Sequence, residues 1–98
     1  MPTHDEKELF MREYLALTRA KRRLFAKALQ KMVEDMKAGK AFRKSLRISV
    51  LGGHPGIYEM TWEMPDGRAT FEFGPAQAPG ERHVIWRRIG GHEIFDAP

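Results

Sequence analysis

IYEMTWEMPDGRATFEF, residues 57–73, is two alternating runs joined by a turn, and the fold is best read outward from it. Met64-Pro65-Asp66-Gly67 carries the turn chemistry: proline pre-sets φ, and aspartate hydrogen-bonds readily to nearby backbone. With a four-residue turn, Glu63 faces Arg68, Thr61 faces Thr70 and Glu59 faces Glu72. On the other side Trp62 meets Ala69, Met60 meets Phe71 and Tyr58 meets Phe73. This pairing sorts the polar side chains from the large apolar ones. A slip of one residue would mix them, so the register is well specified. One face of the hairpin is expected to be core. The other is expected to lie open to solvent, carrying carboxylates and an arginine together.

On either side of this hairpin the period stays near two. Leu46 to Val50 reads as a strand, followed by the turn Gly52-Gly53-His54-Pro55-Gly56 and a strand from Ile57. Arg68 to Phe73 is the next, and after a loop with Gly74, Pro75, Pro79 and Gly80 comes a strand from His83 to Ile89. Before Lys44 the period is 3.6. Phe25, Ala28, Leu29, Met32, Val33 and Met36 form the stripe of an amphipathic helix that begins at Thr18, a good N-cap, and stops at Gly39. Phe10, Tyr14 and Leu17 form the stripe of an earlier helix, with Asp5, Glu6 and Glu8 near its N-terminal end, where the helix dipole favours them. The expectation is one α+β domain over residues 1–98, an N-terminal two-helix hairpin packed on a small twisted antiparallel sheet of about four strands. Pro2–Lys7 is too charged for a strong strand, and the tail after Phe95 is expected to be loose.

Composition narrows the function. The chain has 98 residues and no cysteine, which excludes disulfides, cysteine-based zinc sites and cysteine nucleophiles and suits a reducing cytoplasm. No apolar run approaches the ~20 residues of a membrane helix, and the acidic, polar Met1–Phe10 is unlike a secretory signal. The four histidines lack ligand spacing, so no metal is expected. No glycine-rich loop carries a lysine from strand to helix, so no nucleotide cofactor is expected either. Net charge is +4, but ten basic residues fall between Thr18 and Lys44, opposed only by Glu34 and Asp35. Such a field suits a polyanion or an acidic protein partner; a solvated helix face is the plainer alternative.

Residues from about Phe10 to Phe95 resemble the RelE/ParE toxin superfamily. The likeness rests on His54-Pro55-Gly56-Ile57-Tyr58, on Asp66-Gly67-Arg68-Ala69-Thr70-Phe71, and on Arg88-Ile89-Gly90-Gly91-His92, in that order after a helical hairpin. It implies a RelE-like fold and a toxin of a type II toxin–antitoxin system. Such a toxin is neutralised by a cognate antitoxin, an acidic one being expected here. The implied activity is ribosome-dependent endoribonuclease cleavage of mRNA without metal, inhibiting translation in the cytoplasm. The sequence departs from the family in three places. It lacks a clear first strand, it has Phe95 where many nuclease members end in tyrosine, and it has Glu59 and Thr61 where some carry basic residues.

Metal-free RNA cleavage needs a base for the 2′-hydroxyl, positive charge on the phosphate and an acid for the departing 5′-oxygen. Arg68 matches the family arginine, and arginine grips two phosphate oxygens at once. His92, after Gly90-Gly91, is expected to be the general acid, since imidazole titrates near neutrality. Glu59 shares the polar face with Arg68 and is the candidate base. Arg87 and Arg88 point to opposite sides of the last strand, and alternation leaves open which joins the site. RNA contacts are expected from Arg19, Lys21, Arg22, Arg23, Lys27, Arg43 and Lys44, with Arg82 and His83 bordering the last loop. Trp62, Trp86, Tyr58 and Phe71 fall mainly in the core. Two other functions remain in play on the same fold: a DNA gyrase inhibitor without nuclease residues, and a non-toxic RNA-binding module.

Overall fold

The computed structural model describes residues 2–98; Met1, counted in the one-domain expectation, lies outside them. The chain runs through β1 (Thr3–Glu6), α1 (Glu8–Ala16), α2 (Arg19–Lys37), β2 (Ser49–Val50), β3 (Tyr58–Glu63), β4 (Gly67–Gly74) and β5 (His83–Gly90). Single 3₁₀ turns occupy Lys44–Leu46 and His92–Asp96. Thr18 caps α2, its Oγ1 accepting the Lys21 N–H at 3.2 Å, and Gly39 leaves the helix at φ 65°. Beyond it Arg43 returns to Asp35, whose carboxylate accepts from the Arg43 backbone N–H at 2.9 Å and from Nε at 3.0 Å.

α2 lays Phe25, Ala28 and Met32 on one face of the sheet, where they meet Met60, Trp62, Ala69, Phe71, Val84, Trp86 and Ile89. Trp86 is the hub of this core. Its ring lies 5.3 Å from Phe25, 5.2 Å from Phe71 and 5.7 Å from Phe10 of α1, centroid to centroid. Burying each such side chain contributes roughly 1.5–3 kcal/mol.

Four features differ from expectation. The sheet has five strands, ordered β1-β5-β4-β3-β2, and is mixed, because β1 runs parallel to β5. Thr3–Glu6 forms a strand despite its charge because it pairs on one side only and leaves most of its side chains in water. The strand expected at Leu46–Val50 is cut to Ser49–Val50, since Lys44–Leu46 coils into the 3₁₀ turn and Arg47 follows at φ 50°.

The hairpin register is offset by two residues: Tyr58 pairs with Phe71, Glu59 with Thr70, Met60 with Ala69 and Thr61 with Arg68. An irregularity before Glu63 then tightens the turn. An offset of two preserves which side chains share a face, so the sorting into core and polar sides survives. Finally, the tail is ordered. Ile94 is fully buried, and the backbone oxygen of Pro98 accepts from Thr70 Oγ1 at 3.2 Å and from Arg87 Nε at 3.0 Å. The middle of the polar face is therefore covered, with Thr70 at 0% exposure and Arg68 at 9%.

Candidate functional site

Arg68 stands opposite Gly90 in the β4–β5 ladder. This register brings the β3–β4 turn, with Asp66, alongside the exit from β5, with Gly91 and His92. Asp66 Oδ1 accepts the backbone N–H of His92 at 3.0 Å and makes a closer hydrogen bond with His92 Nδ1. Glycine at 91 leaves room for the carboxylates of both Asp66 and Glu93, which a side chain there would displace. Glu93 Oε1 in turn accepts the Gly91 N–H at 3.0 Å. The hydrogen bonds from the His92 ring and backbone hold the Asp66 carboxyl below its ordinary value. Partial burial opposes them, and the charges of His92 and Arg68 add to them. Phe95 packs edge-on against the His92 ring at 5.8 Å.

Three arginines expected at the site have different partners. Arg68 donates through Nη1 to two carbonyls, Gly67 at 3.0 Å and Glu63 at 3.4 Å, and makes no ion pair among the described residues. Arg87 is paired with Glu72 on the polar face and also bonds Pro98. Arg88 is paired with Glu13 of α1 at 2.7 Å and bonds the Ala97 carbonyl at 3.2 Å. The Glu13 hydrogen bond, against a smaller burial effect, pushes its guanidinium above the ordinary range. The order of these two is explained by a bulge: Thr70 pairs with Arg88 but Phe71 with Trp86, leaving Arg87 as an extra residue. Trp86 and Ile89, three apart, can then both enter the core. Glu59 lies on the polar face two residues along β3 from Thr61, or about 6.6 Å, and pairs with Thr70 in register.

A cleft of about 250 Å³ opens beside Asp66, walled by Leu17, Lys21, Trp62, Glu63 and Glu93. Lys21 crosses it to an ion pair with Glu63. The carboxylate of Glu63 therefore serves Lys21 rather than Arg68, while its carbonyl serves Arg68. Trp62 Nε1 is the one buried side-chain polar atom among the described residues that lacks a hydrogen-bond partner.

The residues expected to touch RNA divide into three groups. Arg19, Arg23, Lys27 and Lys44 are exposed, and the first three lie four residues apart along one ridge of α2. Lys21, Arg22 and Arg43 have internal partners: Glu63, the Leu15 and Leu17 carbonyls, and Glu34 with Asp35 respectively. Arg82 lies over the Phe73 ring, 4.0 Å from its centroid. His83 is not a surface residue. At 4% exposure it pins β1 to β5 through Thr3 Oγ1 at 2.7 Å and Asp5 Oδ2 at 2.9 Å, so a polyanion cannot reach it without parting those strands. Among the described residues no group of three histidine or acidic side chains is placed to hold a metal ion, and no helix is long and apolar enough to cross a membrane.

Comparison with solved structures places this architecture. The YoeB/ParE toxin from Agrobacterium tumefaciens matches with a TM-score of 0.65, at 12% identity over 92% of this chain and 98% of that one. The fold is that of the RelE/ParE toxins. A chain of the DinJ–YafQ complex from E. coli matches at a TM-score of 0.63 and 12% identity, covering 96% of this chain and 97% of the other. E. coli toxin RelE, solved with a peptide of its antitoxin RelBc, matches at 0.61 and 17% identity, covering 97% and 90%. No family model matches the sequence and no curated protein does. What is shared is thus the RelE-like fold.

Asp66 is the residue that reading the sequence did not single out. Its signal was present, a carboxylate two positions before Arg68, but an Asp-Gly pair in a turn is explained sufficiently by turn chemistry.

Proposed function

We propose that this chain is the toxin of a toxin–antitoxin system, acting in the cytoplasm as an endoribonuclease on mRNA held by the ribosome. The observation that carries it is the Asp66–His92 pair set beside Arg68, the sheet arginine with no carboxylate of its own. A phosphate supplies the missing anion. Arg68 neutralises the charge that grows on the phosphate oxygens. Glu59, one row along the same face, takes the proton of the substrate's 2′-hydroxyl as that oxygen attacks phosphorus. His92 hands a proton to the departing 5′-oxygen as its bond to phosphorus breaks. The products are a 2′,3′-cyclic phosphate and a 5′-hydroxyl.

Asp66 acts through His92 as a positioning residue. With Nδ1 engaged by Asp66, Nε2 is the ring nitrogen left to deliver the proton. Arg87 and Arg88, already neutralised by Glu72 and Glu13, support the face and the tail rather than the phosphate. The ridge of Arg19, Arg23 and Lys27, with Lys44, supplies sequence-independent attraction to ribosomal RNA, which weakens steeply with salt. A neutralising antitoxin is the protein partner, and the complexes formed by similarly folded toxins support it.

The test maps mRNA ends after induction, with and without ribosomes. New ends bearing 2′,3′-cyclic phosphate, formed only with ribosomes and lost in His92→Ala, are expected. Intact mRNA together with DNA-damage signalling would move the chain to the gyrase-directed toxins.

A further inference from the structure

The sheet-facing stripe of α2, Phe25, Ala28 and Met32, is flanked at each end by a charged residue on the same side of the helix. Asp35, three residues after Met32, ties down the chain beyond the helix through Arg43. Lys21, four residues before Phe25, occupies a position where the stripe would continue into the core. Its backbone N–H is fixed by the Thr18 cap at 3.2 Å, and its ammonium crosses the cleft to Glu63. Among the described residues this is the only ion pair that joins α1 or α2 to the β3–β4 hairpin.

Glu63 is the residue on which the β3–β4 turn closes. It pairs with Gly67 in the ladder, so tightly that a Cβ at Gly67 would stand 2.6 Å from that of Glu63. The carbonyls of these two residues receive Arg68 Nη1, at 3.4 Å and 3.0 Å. Asp66, between them, receives the His92 N–H at 3.0 Å. The orientation of the guanidinium and the seat of the imidazole therefore both depend on where this one turn lies. The bridge that ties it to α2 is partly wet, with the Lys21 side chain 44% exposed and that of Glu63 24%. Such a pair adds little to stability, but it can decide between nearby positions of a turn.

We propose that Lys21 is a positioning residue, acting through Glu63 to hold the turn that orients Arg68 and seats His92. The catalytic consequence rests on the function proposed above, whereas the hold on the turn rests on these contacts alone. A direct contact with RNA fits Lys21 less well. A phosphate that took its ammonium would bare Glu63 beside Asp66 and Glu93, which line the same cleft, and the strand would meet three carboxylates.

The test measures amide hydrogen exchange on the full chain, without RNA. Lys21→Met keeps most of the stem and loses the charge. It should speed exchange of the His92 N–H by about two- to fivefold and leave the amides of α2 as they were. Glu63→Gln should do the same, and the double variant no more than either alone. Lys21→Arg should restore the wild-type rate. In ribosome-dependent cleavage Lys21→Met should lower kcat by about five- to tenfold with KM held, less than the roughly hundredfold that a misplacement of about 1 Å can cost.

Unchanged exchange at His92, or effects of the two single variants that add, overturns the proposal. So does a raised KM with kcat held, which would make Lys21 an RNA contact. Faster exchange across the whole sheet also overturns it, since Lys21 would then be merely structural. Because the exchange readout contains no RNA, a chain that shows the expected pattern yet cuts no RNA supports the hold on the turn while refuting the ribonuclease.

Discussion

Asp66 and His92, 26 residues apart in the chain, are joined twice: one carboxylate oxygen receives the histidine backbone N–H at 3.0 Å and also meets its Nδ1. The backbone bond positions the residue and the side-chain bond orients the ring. Separating these two effects is the most direct test of the site. His92→Ala should lower ribosome-dependent RNA cleavage by about 10²–10⁴-fold. Asp66→Asn keeps a side-chain acceptor for the backbone N–H but loses the charge, so cleavage should fall by up to about a hundredfold in kcat with KM held. A purely structural Asp66 would instead change the melting temperature and leave the pH profile of cleavage as it was.

Arg68 is expected to be irreplaceable even by lysine. Arg68→Lys keeps one positive charge but loses the planar fork that binds the Gly67 carbonyl and that would, on the proposed mechanism, also grip a phosphate. Losing a charge-assisted bond of about 1.5–3 kcal/mol should slow single-turnover cleavage by roughly 10–100-fold. Arg87→Lys, by contrast, should cut RNA nearly as wild type does. Equal losses in the two variants would show that no single arginine binds the phosphate.

Ile94→Ala probes the tail. Ile94 is fully buried yet stands apart from the main core cluster, anchoring the 3₁₀ turn that carries His92. Emptying that site should cost about 2–5 kcal/mol, measured by denaturant unfolding. Activity at temperatures where the variant is still folded should also fall, because the turn that positions the imidazole loses its anchor. Full activity in the folded variant would dissociate the tail from catalysis.

Strong acid should weaken the hold on the α2 terminus. The side-chain hydrogen bond from Arg43, then its backbone bond, hold the Asp35 carboxyl below its ordinary value of 3.8. A depressed carboxyl contributes stability that is complete above the unfolded value and is lost as pH falls through the folded one. Asp35→Asn should therefore melt at a lower temperature than wild type at pH 6, and the difference should narrow as pH falls below 3.8 and through the lower folded value. A difference that persists unchanged in acid would assign the loss to packing.

How much of this was legible in the sequence depended on whether a signal was local. Thr18, the 3.6-residue stripe and Gly39 are local, and α2 forms where they place it. The two faces of the hairpin were legible although its register was not, since a tighter turn moves the pairing by two and parity is all that the faces require. β1 was illegible because its pairing with β5 lies in the backbone of residues 80 apart, and an edge strand need not be apolar. The bulge at Arg87 hid the sidedness of β5, as the core claims both Trp86 and Ile89. At the candidate site Arg68 and His92 are brought together by the β4–β5 register, whereas His83, which borders a loop in sequence, is consumed by β1. The tail after Phe95 looked loose because what holds it is a backbone atom, the Pro98 oxygen bonded by Thr70 and Arg87, which leaves no mark in the side-chain pattern.

The parallel pairing of Thr3–Glu6 with His83–Trp86 has a consequence for biogenesis. The sheet cannot close until residues 83–90 have been made, because its first strand pairs with its last. The segment bearing His92 emerges later still. A growing chain thus carries the basic helix and the central hairpin well before Arg68 and His92 are brought together, and the long loop closure adds a further delay.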